Sequence, residues 1–133
     1  MAAGDILKVQ NLVVEAFTVK TGESIEKGEI CVVDSGLLAA TSAHKGPYYM
    51  ALIAHVYGTD SASQIIPCVK YGYVEAQAKP AAAIEKGDYL ELSTTAGEVT
   101  LSDVTAQSDV VGVAEYAAAT TVTTVKMTIG QMP

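Results

Sequence analysis

The chain has 133 residues, half of them hydrophobic and 17% charged, with eight basic against fifteen acidic side chains and a formal net charge of −7. A chain of this length reads as one domain, able to bury roughly two thirds of its unfolded surface and to fold without a disulfide or a metal. The acidic balance, with its basic residues scattered, argues against nucleic acid and against an anionic membrane surface as partners, since both need clustered Lys and Arg.

In chain order, residues 1–10 are small, mixed and weakly patterned, and read as an N-terminal arm. Asn11–Val19 is rich in Val and Phe and reads as a strand. Gly28 opens the run Glu29–Asp34, in which Ile30 and Val32 face one way and Cys31 and Val33 the other, so a strand buried on both faces is expected. Asp34-Ser35-Gly36 is a turn signal, with Leu37–Thr41 as the return strand. Tyr48–Tyr57 is open between a short helix and a strand; the strand is preferred, because its counterpart Val110–Tyr116 holds Gly112 and several Val. Gln64–Ala76 is a strand interrupted by Pro67, where an edge or bulge is expected, and by Gly72, a bend or bulge. Ala78–Ala83 is one helical turn or a connector. Tyr89–Ser93 and Glu98–Leu101 form a second hairpin, Ser102–Ser108 a polar loop, and Val110–Tyr116 and Thr121–Ile129 the last strands. Many short strands divided by Gly and Ser/Asp turns predict a mainly β domain, a compact β-barrel or β-tulip with little helix.

One phrase occurs twice. Ile25-Glu26-Lys27-Gly28-Glu29 returns as Ile84-Glu85-Lys86-Gly87-Asp88, an offset of 84 − 25 = 59 residues. Leu52-Ile53-Ala54 and Gly112-Val113-Ala114 correspond loosely 60 apart, and Val69-Lys70 and Val125-Lys126 lie 56 apart. Two similar strand-turn halves, about 23–76 and 82–133, within one β domain spanning 11–133, are the simplest reading. In each copy Glu and Lys are expected in solvent and Gly at a strand-opening turn.

Residues that could carry chemistry are few. Cys31 and Cys68 lack metal-ligand spacing and are expected as buried thiols; whether they pair is open. His44 and His55 are separated from each other and from the cysteines, so no zinc pattern exists. His55, in an apolar stretch, reads as a hydrogen-bonded or interface histidine rather than a base. Asp34, Asp60, Asp103 and Asp109 sit in turn-like contexts, where Asp bonds its own backbone. No enzyme, cofactor or metal is expected. The seven Tyr suit a core or a protein interface; a sugar platform is the alternative, though Trp is absent. Met1-Ala2-Ala3-Gly4-Asp5 lacks a basic start, and no apolar run nears the roughly 20 residues that span a bilayer. Synthesis in a cytoplasm and solubility are expected.

Residues 28–76, GEICVVDSGLLAATSAHKGPYYMALIAHVYGTDSASQIIPCVKYGYVEA, run from an Asp-containing turn through an Ala-Leu-Ile-Ala strand and a Ser/Thr loop to a strand with Lys-x-Gly-x-Val. This order resembles the head decoration proteins of lambda-like phages. Val9-Gln10-Asn11 and Ile84-Glu85-Lys86-Gly87-Asp88 are similar to a wider family of small phage head proteins. The chain departs from the lambda pattern in its second repeat half and in having no Trp. The resemblance implies a structural virion protein that decorates and cements the outer surface of an icosahedral capsid, with the major capsid protein as partner and a homotrimer as assembly. Ile6, Leu7 and Val9 of the arm, with Tyr48, Tyr49, His55 and Tyr57, are the candidate coat or subunit contacts. A carbohydrate- or cell-surface-binding module of a phage fibre or other appendage is the alternative.

Overall fold

The repeated phrase marks a repeated structure. The computed structural model describes residues 2–102 and 110–130; Asp103 and Asp109, and most of the expected polar loop, lie outside them. The described residues contain no helix and nine strands: β1 (Ile6–Thr18), β2 (Ile30–Val33), β3 (Leu37–Ala39), β4 (Tyr49–Ala51), β5 (Ile65–Gln77), β6 (Tyr89–Leu92), β7 (Val99–Leu101), β8 (Gly112–Ala114) and β9 (Thr124–Ile129). The paired strands are antiparallel, in the order β3-β2-β4-β5-β9-β8-β6-β7, with β1 added on β5. β1 and β5 are each 13 residues long and start 65 − 6 = 59 residues apart; β9 starts another 124 − 65 = 59 on. Pairing obeys the same step. Thr18 faces Ile65 between β1 and β5, and Gln77 faces Thr124 between β5 and β9.

Each unit curls into a small barrel. In the first, β1, β5, β4, β2 and β3 pair in turn, and the ring closes where Val19 bridges Leu37 and Lys20 N–H donates to Leu37 O at 2.9 Å. In the second, β5, β9, β8, β6 and β7 do the same, closed by the Ala78–Val99 bridge and Lys79 N–H to Val99 O at 2.9 Å. Strand β5 belongs to both. The first interior holds Phe17, Val19, Ile25, Cys31, Leu37, Tyr49, Ala51, Ile66 and Cys68. The opposite face of the β2–β3 hairpin, with Ile30, Val32 and Leu38, joins the core of the second unit. This hairpin is therefore buried on both faces, as its apolar alternation required, up to Val33, which is exposed. The units are tied by the β6–β7 turn: Gly97 N–H donates to Ala40 O at 2.9 Å, and Ile30 N–H to Gly97 O at 2.8 Å.

The Ile-Glu-Lys-Gly-acid phrase now has a physical account. Ile25 and Ile84 are buried, each worth about 1.5–3 kcal/mol of apolar burial. Their backbones exchange two hydrogen bonds, Ile25 with His55 and Ile84 with Ala118. The Glu-Lys pairs project into solvent. Gly28 and Gly87 take φ of 88° and 94°, a region that a Cβ disfavours. Their N–H groups donate to Ala51 O and Ala114 O, both at 2.8 Å. The acid closes the turn, Glu29 accepting from Glu26 N–H at 2.7 Å and Asp88 from Glu85 N–H at 2.8 Å.

Several expectations shift. Within Tyr48–Tyr57 only Tyr49–Ala51 is strand; the rest is turn, with His55 in an isolated bridge. Ile6–Gln10 of the expected arm is part of β1, and Gly4 and Asp5 bond to Glu75. Ala78–Ala83 connects without a helical turn. Pro67 makes no bulge: it faces Ala16 within a continuous register, and its carbonyl accepts from Leu52 N–H at 3.0 Å where β4 ends. Gly72 sits where the β1–β5 register breaks, between the Lys8–Tyr73 and Val13–Tyr71 pairs, as a bend or bulge there would require, and a Cβ on it would lie 2.6 Å from Leu12 Cδ1. The looser repeat correspondences are each three residues out of register. Ala51 matches Ala114, 63 residues on, mostly because the β6–β7 turn is three residues longer than its β2–β3 equivalent, and Cys68 matches Met127 at the basic step of 59.

Candidate interaction surfaces

The groups with chemical potential are placed for stability. Among the described residues no cluster of three His, Cys, Asp or Glu side chains could hold a metal ion. Cys31 and Cys68 are free thiols inside the first barrel. Burial pushes Cys31 well above its ordinary value, with Cys68 and Glu29 adding to the effect; burial raises Cys68 to about 12. Thiolate, the reactive form, is therefore scarce at neutral pH. His55 is only 2% exposed, and its Nδ1 meets Gln64 Oε1 at 2.5 Å. His44 accepts from Thr41 N–H through Nδ1 at 3.0 Å, closing a local turn. Asp34 and Asp60 stay in turns, Asp60 accepting from Val56 N–H at 2.8 Å.

Each barrel has a shallow mouth. One, of about 260 Å³, is lined by Val19, Lys20, His55, Tyr57 and Asp60 among others. The other, of about 360 Å³, is lined by Ala78, Lys79, Glu98 and Thr123 among others. Val19-Lys20 and Ala78-Lys79 are repeat equivalents, so both hollows follow from the same barrel end. The first lies just below the range of about 300–1,000 Å³ usual for ligand clefts and the second at its small end.

The expected contact residues separate into two groups. Ile6, Val9 and Tyr57 are exposed, Val9 by 79%, and Leu7 is half-buried. Tyr48, Tyr49 and His55 are buried in the chain's own core. Tyr49 stacks edge-on against Phe17 at 4.7 Å. Burial raises its phenol above the ordinary value, as does Glu15, while Lys70 opposes them. Tyr48 OH donates to His44 O at 3.0 Å. Of the other tyrosines, Tyr73 is raised by desolvation first, then by hydrogen bonding with Tyr116 and by the nearby Tyr116 and Glu115. Lys8 lies 5.6 Å from the Tyr73 ring centroid and Lys126 5.1 Å from that of Tyr116. These two rings are flanked by ammonium groups rather than laid out as a bare platform.

Sequence reasoning missed a contrast between equivalent faces. On the outside of the first barrel β1 and β5 present Val14, Ala16, Thr18, Ile65 and Pro67. Moved on by 59 residues, these become Tyr73, Glu75, Gln77, Thr124 and Lys126 on the second. The same fold thus carries an uncharged face in one unit and a polar one in the other. The signal was in the sequence, but it needed the correct strand equivalence.

No protein-family model and no curated protein matches the chain. Among solved structures it is similar to the N base of the head fiber protein gp8.5 of bacteriophage phi29. The two share 17% identity with a TM-score of 0.57, covering 89% of this chain and 95% of that one. At that identity the likeness speaks for the fold, and it takes in both barrels.

Proposed function

We propose that the chain is a structural protein of a phage virion that decorates the outer surface of the capsid, bridging and cementing coat subunits. The observation that carries this is the fold likeness to a phage head fiber base over nearly the whole of both chains. The residues suit the role: a rigid all-β body, buried inert thiols and shallow mouths fit a part that binds once and stays. The major capsid protein is the partner in this reading, and the resemblance to head decoration proteins implies three copies acting together. Ile6, Leu7, Val9 and Tyr57 are the members of the expected contact set whose exposure leaves them open to a coat subunit.

A second reading is favoured by the same neighbour, which is the base of a fiber. Here the chain would seat an appendage on the head, and the exposed Tyr57, Tyr89 and Tyr116 would serve the attached part or a surface glycan. Quantitative mass spectrometry of gradient-purified particles separates the two. A copy number comparable to the coat protein supports cementing; a few tens of copies or fewer supports an appendage base. Absence from particles overturns both.

A further inference from the structure

Where the two barrels meet, a carboxylate is packed against the backbone bonds that tie them. Ile30 N–H donates to Gly97 O at 2.8 Å and Gly97 N–H to Ala40 O at 2.9 Å, which seats the β6–β7 turn on the β2–β3 hairpin. Glu29 precedes Ile30, and its side chain lies against the same glycine: a Cβ on Gly97 would lie 2.7 Å from Glu29 Oε2 and 2.9 Å from Glu29 Cβ. The other oxygen, Oε1, accepts from Glu26 N–H at 2.7 Å. Glu98 follows Gly97 directly, so the carboxylates of Glu26, Glu29 and Glu98 converge on the seam.

The lysines nearby are engaged elsewhere. Lys27 Nζ lies 4.0 Å from Asp5 Oδ1, and Lys79 Nζ donates to Thr95 Oγ1 at 3.0 Å. From β5, Gln77 Nε2 donates to Glu26 Oε2 at 3.2 Å. From β4, Ala51 N–H donates to Glu29 O at 3.0 Å, and from β2 the buried Cys31 thiol is in electrostatic reach. Burial is the main cause that raises Glu29, with Glu26 and Glu98 adding to it and the Glu26 N–H opposing. The repeat shows that the turn itself needs no such cluster. Asp88 closes the equivalent turn through Glu85 N–H at 2.8 Å with a side chain one methylene shorter. Nothing is seated over that copy among the described residues: Ile30 is buried under the β6–β7 turn, whereas its equivalent Tyr89 is 61% exposed. The extra length of Glu29 therefore serves the seam and not the turn.

We propose that this seam is a proton-sensitive tie between the two barrels. With a proton on Glu29 the β6–β7 turn sits closed on β2. Loss of the proton leaves a half-buried charge against Gly97 and sets three like charges against one another, which loosens the turn. The closed seam favours the protonated acid, so the tie is strongest below the ordinary glutamate range and weakens as pH rises just above it. Loosening uncovers the backbone of Ile30 without breaking the sheet, because β5 still joins the units. The device belongs to the fold and does not rest on the virion reading.

The test is amide hydrogen exchange of the full chain, read residue by residue by NMR from about pH 4 to 7 and corrected for the intrinsic rate. Protection of the Ile30 and Gly97 amides should fall about threefold or more over that range relative to Gly87, whose N–H bonds Ala114 O inside the second unit. Glu29→Asp keeps the turn bond, as Asp88 does, and withdraws the carboxylate from Gly97; it should flatten the profile. Glu98→Gln leaves Glu29 in place and removes one of the repelling charges, so the fall should shrink. A flat wild-type profile overturns the proposal. So does a fall that Glu29→Asp leaves unchanged, since the turn bond would then account for it, or one that Gly87 shares in full, since it would report the whole fold and not the seam.

Discussion

Replacing Gly28 and Gly87 by Ala makes a matched experiment within one molecule. Both glycines open the same turn, at φ of 88° and 94°, and both donate their N–H to the equivalent alanine carbonyl. An L-residue held at positive φ costs about 1–2 kcal/mol. For Gly87 the cost should stop there, because an added Cβ would meet nothing within 4 Å. For Gly28 the Cβ would lie 2.7 Å from both Ala3 Cβ and Gly4 N. Relief requires the Ala3–Gly4 segment to move, which puts at risk the Gly4 N–H to Glu75 O bond of 2.8 Å. Losing that bond adds about 0.5–1.5 kcal/mol. Gly87→Ala should therefore cost about 1.5 kcal/mol and Gly28→Ala about 3 kcal/mol, with Tm falling about 3–5 °C per kcal/mol at this chain length. Urea unfolding followed by far-UV circular dichroism and by tyrosine fluorescence measures both. Equal losses, or the larger one at Gly87, would refute the packing of residues 3–4 against the first turn.

Other consequences are as direct. Ellman's reagent should leave Cys31 and Cys68 unmodified at pH 8 until denaturant is added, since both are buried and both thiols are raised; rapid labelling of the native chain would contradict their place in the barrel. Glu29 is raised by burial and by the carboxylates of Glu26 and Glu98, against the lowering effect of Glu26 N–H. A raised folded-state acid favours the fold below its ordinary value and loses that contribution as pH rises through the raised one. Glu29→Gln should therefore gain on the wild type as pH rises just above the ordinary glutamate range, and parallel stability profiles would show that the burial is not felt. Tyr49→Ala should cost about 3–5 kcal/mol. Adding Cys68→Met should recover part of it, seen as a non-zero coupling in a double-mutant cycle, because Met127 fills the equivalent space beside Gly112 in the second barrel.

Much of the architecture was legible because it is written locally. The turn glycines, the Asp34-Ser35-Gly36 reversal and the apolar alternation of Ile30–Val33 are set by neighbouring residues, and each is where the pattern put it. The Ile-Glu-Lys-Gly repeat was legible for the same reason, since one turn geometry demands those residue types. What failed was register over distance. Short matches such as Leu52–Ala54 with Gly112–Ala114 satisfy composition equally well three residues either way, and only the ladder bonds from Glu29 to Ala51 and from Asp88 to Ala114 decide between them. The tyrosines failed differently. Tyr48 and Tyr49 are amphipathic enough for an interface or a core, and whether a barrel closes around them is a tertiary fact.

The two barrels show how much of the sequence the fold needs. Interior positions keep their apolar character across the repeat, from Ile25 to Ile84 and from Ala51 to Ala114. Where one shrinks, a neighbour grows: Phe17, Tyr49 and Cys68 become Ala76, Gly112 and Met127. A Cβ on Gly112 would lie 2.6 Å from Met127 Cε, so the methionine has taken the space of the missing ring. Such exchanges conserve volume and leave the barrel unchanged. The outer face of β1 and β5 obeys no such rule. Its residues change from Val14, Ala16, Ile65 and Pro67 to Tyr73, Glu75, Thr124 and Lys126, a set with partners of its own: Thr124 Oγ1 donates to Glu75 Oε2 at 2.8 Å, and Lys8 and Lys126 lie over the Tyr73 and Tyr116 rings. Since the second unit closes with polar residues there, the uncharged face of the first is not a requirement of folding. Its cause has to be sought in what the protein meets.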